Sequence, residues 1–325
     1  MLDLPDHIQD DSWKGYLLAA VAALFRATGG LVAKWLFSPL DAVTALWPIP
    51  PVGLEAYPVV LAGARALTAT VILLIYVAVT RPAALKVSAR DLPFLVVFGA
   101  GALAGVHVAY FLAISHTNVA TAILLEYLAP VIVLIFSVIF LGERLTWTLP
   151  VGVILSVLGC ALVVGAFGAE GLEVSQAGIM WGLTAAGFFA LYQLMGKWAA
   201  PRFSPWTLLF YGLLFASVFW VVYLQGFGSM IDLMSSGTGA AAVIYIAVAS
   251  TIIPFTASLK ALHYIDATKA VVTSTLEPVI AGVAAWVLLA EAFDALQILG
   301  GVLVLVAIII VQRQGRRFPG VPIGS

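Results

Sequence analysis

Apolar runs of about twenty residues, divided by short charged gaps, recur ten times in this chain: near 15–37, 57–79, 91–113, 118–140, 147–166, 177–198, 205–224, 239–261, 268–290 and 294–312. Twenty helical residues rise about 30 Å, the thickness of a bilayer's hydrocarbon core. In that medium each backbone segment must satisfy its own hydrogen bonds, so runs of this length read as helices. Composition agrees: 63% of the 325 residues are hydrophobic and 10% are charged, with a mean hydropathy of +1.11. That is too little charge to coat a water-facing surface. The expected fold class is an all-α membrane protein with ten transmembrane helices.

The distribution of cations gives this bundle a direction. Twelve of the fifteen Lys and Arg residues fall in, or at the edges of, alternate gaps: Lys14; Arg81, Lys86 and Arg90; Arg144; Lys197 and Arg202; Lys260 and Lys269; Arg313, Arg316 and Arg317. The intervening gaps hold acids such as Asp41, Glu55, Glu170, Glu173, Asp232, Glu291 and Asp294, but no Lys or Arg. Cytoplasmic loops retain basic residues, so both termini are expected in the cytoplasm of a cell with this chain in its inner (plasma) membrane, and the 38–56 gap outside. The opening MLDLPDHIQDDSWK lacks the basic start and cleavage site of a signal peptide, so the first helix is expected to be retained.

Several function classes lose support. A net charge of −1 gives no overall attraction to nucleic acid. Cys160 is the only cysteine, which permits no internal disulfide and no thiolate metal cluster, and a packing role is expected for it. No phosphate-binding G-x-x-x-x-G-K-[ST], H-E-x-x-H or G-x-S-x-G is present, and His7, His107, His116 and His263 are dispersed. An enzyme, a bound cofactor and a metal site are therefore not expected.

The chain also repeats itself. LLEYLAPVIVLIFSVIFLGE (124–143) resembles TSTLEPVIAGVAAWVLLAE (273–291), and a constant offset of 148 aligns Pro130 with Pro278, Glu143 with Glu291 and Gly152 with Gly300. Between 117–143 and 265–291, seven of twenty-seven positions are identical. The spacing suggests a duplicated five-helix unit, 15–166 and 177–312, joined by an exterior linker at 167–176 and flanked by tails at 1–14 and 313–325. Because five is odd, the second copy enters the membrane from the other side. Such inverted repeats recur in secondary transporters, with the substrate site near mid-bilayer where the halves meet.

These phrases, with ARAL at 64–67 and the G-x-x-L-x-x-x-G of Gly152, Leu155 and Gly159, resemble the EamA family of the drug/metabolite transporter superfamily. The resemblance covers about residues 15–312. It implies a ten-helix, two-repeat fold around a central cavity, and export of small metabolites such as amino acids.

Charged side chains inside the spans are the candidate functional groups, because an ionised acid at mid-bilayer costs roughly 2.5–3.5 kcal/mol on insertion scales. Glu126 and Glu277 both lie near the midplane and on equivalent helix faces. Pro130 and Pro278 kink their helices and free the carbonyls of Glu126 and Ser274. Arg26 lies at the centre of helix 1 and has two open readings, a clamp on a substrate carboxylate or the counter-ion of Glu126. The second half has no Arg inside a span, so Glu277 is expected to lack a permanent cation and to carry the coupling proton. Arg65, Glu143 and Glu291 read as structural charges, and Lys34 as a snorkelling lysine.

His107, Tyr110, Tyr192, Ser258 and Thr273 fall on coherent helical faces and are candidate walls of a substrate or proton pathway. Gly101 with Gly105, and Gly178 with Gly182, read as close helix packing within a monomer or at a homodimer face. The favoured function is alternating-access export of a small polar or amphipathic metabolite, with protons as a candidate second ligand. An intramembrane enzyme, or a channel or receptor-like scaffold, is the alternative.

Overall fold

The computed structural model describes residues 11–37, 58–116, 119–166, 175–289 and 294–313, and every regular element among them is helical. Helix α1 spans Ser12–Phe37 and α2 spans Pro58–Thr80. The third apolar run is composite, made of α3 (Leu92–Val96), a π-helical segment (Val97–Leu103) and α4 (Ala104–His116). The fourth is broken into α5 (Val119–Glu126) and α6 (Ala129–Phe140), and α7 covers Thr148–Val163.

The second half follows the same plan with α8 (Gln176–Ala199) and α9 (Pro205–Tyr223). A short α10 (Gly228–Ser235) buries Met230 and Leu233 and packs against α2. Apolar run length alone marks that stretch only as a gap between the runs at 205–224 and 239–261. Next come α11 (Gly237–Ala247), a π-helical segment (Val248–Ile252) and α12 (Ile253–Ala261). A second broken pair, α13 (Ala267–Ser274) and α14 (Leu276–Leu289), precedes α15 (Ala295–Arg313).

Seven of the described helices are long and apolar enough to cross a membrane: Val59–Thr80, Ala89–Tyr110, Thr121–Phe140, Gln176–Ala199, Pro205–Tyr223, Gly237–Ala261 and Ala295–Gln312. Thr148–Val163 is apolar but shorter. The chain is thus a multi-pass membrane protein. Its outer faces present large apolar side chains, including Val79 at 77%, Val222 at 72% and Phe140 at 70% exposure, as lipid contact requires.

Four spans are irregular, and the irregularities recur along the chain. The offset of 148 carries 97–103 onto 245–251, overlapping the second π segment at 248–252. It also carries the break at Tyr127 onto Thr275, where the second broken pair separates. Each break lies three residues before a proline, whose missing N–H leaves a carbonyl free one turn back. In the second π segment, Thr251 Oγ1 donates to the Ile246 carbonyl at 3.0 Å, satisfying a backbone group that the widened turn loosens.

Helix neighbours are set by small residues. α7 packs along α15, where a Cβ on Gly159 would lie 2.7 Å from Val304 and 2.8 Å from the Gly300 carbonyl. Gly152 meets Val311 in the same seam, so the glycines of the G-x-x-L-x-x-x-G motif permit this crossing. Gly105 faces the Phe188 ring of α8, and Gly182 faces Leu125 of α5, both within one chain. The other main pairings are α4 with α8, α1 with α12 and α14, and α2 with α9.

Candidate functional site

Because α1 packs on α12, α13 and α14, Arg26 faces the second half of the chain. Its Nε lies 2.6 Å from Oε2 of Glu277, and its Nη1 lies 3.4 Å from Oγ of Ser258. The Phe189 ring sits 6.0 Å from the guanidinium carbon, within cation–π range. Arg26 Nη2 is buried without a hydrogen-bond partner among the described residues.

This arrangement reverses an expectation. Depth along the membrane offers Glu126 as the one counter-ion for Arg26, beside the clamp reading, and leaves Glu277 without a cation. Depth fixes only one coordinate, whereas pairing depends on which helices are lateral neighbours. The packing of α1 against the second broken pair gives Arg26 to Glu277. Glu126, half-buried, forms no hydrogen bond or ion pair among the described residues, although Arg26, Arg65 and Glu277 act on it electrostatically.

Tyr127 completes the network and was not singled out in the sequence. Its hydroxyl donates to Glu277 Oε2 at 2.8 Å and contacts the Ser274 carbonyl oxygen at 3.4 Å. The carbonyl loosened by Pro278 is therefore met by a side chain from the break that precedes Pro130. The available signal was positional, since Tyr127 aligns with the break residue Thr275 and adjoins Glu126.

The other candidates divide. Tyr110 lies within electrostatic reach of Glu126 and Glu277. His107 stands 6.3 Å, ring centre to ring centre, from Phe255, and Arg65 acts on it. The buried Tyr192 ring lies 5.5 Å from both Phe98 and Phe255, with its hydroxyl unpartnered among the described residues. The hydroxyls of Ser250 and Thr256 are likewise unpartnered there. Thr273 is not brought into the network, because its hydroxyl donates to the Lys269 carbonyl of its own helix at 2.8 Å.

A second polar cluster lies at the basic-gap end of α6, α8 and α13. Glu143 Oε2 accepts from the Thr268 hydroxyl at 2.7 Å, tying the end of α6 to the start of α13. Lys197 donates to the carbonyls of Leu262 (2.9 Å) and Ile265 (2.8 Å), and Lys269 pairs with Asp266 at 2.9 Å. Burial, aided by the nearby Asp266, raises the Glu143 carboxyl above the ordinary carboxylate range despite the opposing Thr268 bond. Glu291 and the side chain of Lys34 lie outside the described residues.

A multi-pass helical bundle with a charge network buried between interrupted helices has the build of a membrane transporter. The chain belongs to the EamA-like transporter family, whose profile matches residues 51–165 and 176–313. It is 30% identical over 243 residues to the pseudopaline exporter CntI of Pseudomonas aeruginosa, covering 74% of this chain and 82% of that one. It is also 27% identical to a probable terminal-alkyne amino-acid exporter of Streptantibioticus cattleyicolor, covering 70% of this chain and 76% of the relative. A solved crystal structure superposes with a TM-score of 0.72 at 18% identity, covering 93% of this chain and 97% of that one, a likeness of fold.

Proposed function

We propose that the protein is a secondary transporter that exports a small polar or amphipathic metabolite, an amino acid or related compound, by alternating access, with a proton as coupling ion. The carrying observation is the Arg26–Glu277–Tyr127 network, which ties α1 to both broken helix pairs and leaves Glu126 outside any hydrogen bond among the described residues. In this reading Arg26 Nη2 receives a solute carboxylate, Glu126 takes the proton or a solute ammonium, and Tyr110, Tyr192, His107 and Ser258 wall the pathway.

Matching irregularities at an offset of 148 support two inverted five-helix repeats. Pairing of α1 with α12 and of α4 with α8 supports them too, because a two-fold relation between halves exchanges these pairs. The names of the two exporters above support the solute class. The alternating basic gaps support an inner-membrane location with both termini cytoplasmic.

The test begins by comparing metabolites exported by cells with and without the protein, and then reconstitutes the solute found. Glu126→Gln should permit solute exchange in proteoliposomes but abolish accumulation driven by a pH gradient. Wild-type accumulation by Glu126→Gln would remove Glu126 from the coupling step. Solute-independent, non-saturating current in the wild type would replace the transporter reading with a channel.

A further inference from the structure

A cavity of about 430 Å³ lies away from the central network, between the turn that follows α2 and the turn that enters α9. Arg81, Lys86 and Arg202 line it, with the hydroxyl side chains of Ser88, Ser204 and Thr207. Its single carboxylate, Asp91, is already paired with Arg202 Nη2 at 3.1 Å. Arg81 and Lys86 have no ion-pair partner among the described residues, so the lining carries a net positive charge of two.

The site is built from fixed parts. Two short 3-10 turns, Pro82–Leu85 and Ala89–Asp91, fold the connecting chain back onto α9, where the Tyr211 hydroxyl donates to the Leu85 carbonyl at 2.8 Å. Arg202 is held by Asp91 and lies over the rings of Trp198 (5.0 Å) and Phe203 (5.7 Å). Ser204 caps α9 by accepting from the Thr207 N–H, and its hydroxyl is bonded to that of Thr207 at 2.9 Å, so the end of this nineteen-residue helix adds its positive dipole to the space rather than free donors. Two cations without an ion-pair partner among the described residues, beside the positive end of a helix dipole, fit a phosphate group.

The surroundings separate a lipid from a soluble anion. The guanidinium of Arg81 sits 5.4 Å over the ring of Trp206, which in turn lies 5.0 Å from Tyr76. From there exposed Val79 (77%), Ile75 (61%) and Val71 (49%), one helical turn apart, form an apolar strip along α2 toward mid-membrane. A Trp–Tyr pair beside cations at a helix end marks the depth of lipid headgroups. We infer that this cavity binds the phosphate of an anionic phospholipid headgroup, with the acyl chains lying along Val79, Ile75 and Val71.

The test is phospholipid binding to the purified full-length protein, measured by native mass spectrometry with dioleoylphosphatidylglycerol against dioleoylphosphatidylcholine. Phosphatidylglycerol should bind preferentially. Arg81→Gln and Lys86→Gln should each lower its binding roughly five-fold, and the double substitution roughly thirty-fold, from the ordinary contribution of a cation at an anionic membrane surface. Lys260→Gln, an exposed lysine outside the cavity, should leave it unchanged. Undiminished phosphatidylglycerol binding by the double variant, or a loss as large in Lys260→Gln, overturns the assignment. Equal displacement by millimolar inorganic phosphate would make the cavity a soluble-anion site. Circular dichroism of the double variant checks folding, and Arg81→Lys, which keeps the charge, should retain most binding.

Discussion

Replacing Arg26 by Met removes the cation that faces Glu277 and strands a carboxylate between α1 and the second broken helix pair. Replacing Glu277 by Gln strands the guanidinium instead, with Ser258 as its remaining hydrogen-bond partner at 3.4 Å. Breaking a buried pair costs roughly 3–5 kcal/mol when one charge is left uncompensated. Here the Arg26 side chain is 12% exposed and that of Glu277 28%, so water screens part of the penalty and about 2–3 kcal/mol is expected for each single change. The double variant strands no charge at this pair and should cost much less than the two singles together. Equilibrium unfolding in mixed detergent micelles gives the three free energies, and the coupling should be about 2 kcal/mol or more. The parallel cycle of Arg26→Met with Glu126→Gln should couple more weakly, since no contact joins that pair. If Arg26→Met and Glu277→Gln add to within about 0.5 kcal/mol, the pair does not hold the helices together and the reasoning fails.

Tyr127→Phe removes a hydrogen bond to the Glu277 carboxylate and should cost about 1.5–3 kcal/mol in the same unfolding assay; no loss would mean that water replaces the hydroxyl freely. Gly159→Val pushes methyl groups into the Gly300 backbone and should destabilise by about 1–3 kcal/mol, while Gly187→Ala, which meets nothing within 4 Å, should be neutral or stabilising; equal effects would refute the close-crossing argument. Because the folded Glu143 carboxyl titrates above its ordinary range, its stabilising contribution is present at acid pH and is lost as pH rises through the raised value. Wild-type stability relative to Glu143→Gln should therefore fall as pH rises above the ordinary glutamate value, and a pH-independent difference would contradict that sign.

The lipid setting and helical build were legible without coordinates because they rest on local quantities. Run length against bilayer thickness, and the need of each backbone segment to bond to itself, act within one span. The offset linking Pro130 to Pro278 likewise pointed to two helix interruptions, since a proline removes an N–H whatever surrounds it. The offset relation between the π segments was not legible, because a widened turn carries no single residue signature. The second segment lies beside Pro254, whereas in the first a Cβ on Gly99 would lie 2.5 Å from the Gly212 carbonyl.

The candidate site divides along the same line. Sequence marked Arg26, Glu126 and Glu277 as charges too costly to leave unexplained in lipid, and depth could be counted from the helix ends. Which charge meets which is a lateral relation between spans some 250 residues apart. It was decided when α1 packed against α12–α14, giving Arg26 to Glu277 and bringing in Tyr127, while Thr273 turned its hydroxyl to its own helix. Periodicity and solvent thus determine which residues enter the membrane and how deep they lie. Partner choice belongs to tertiary structure, because a buried ion pair forms only where packing brings the charged atoms of two helices within about 3 Å.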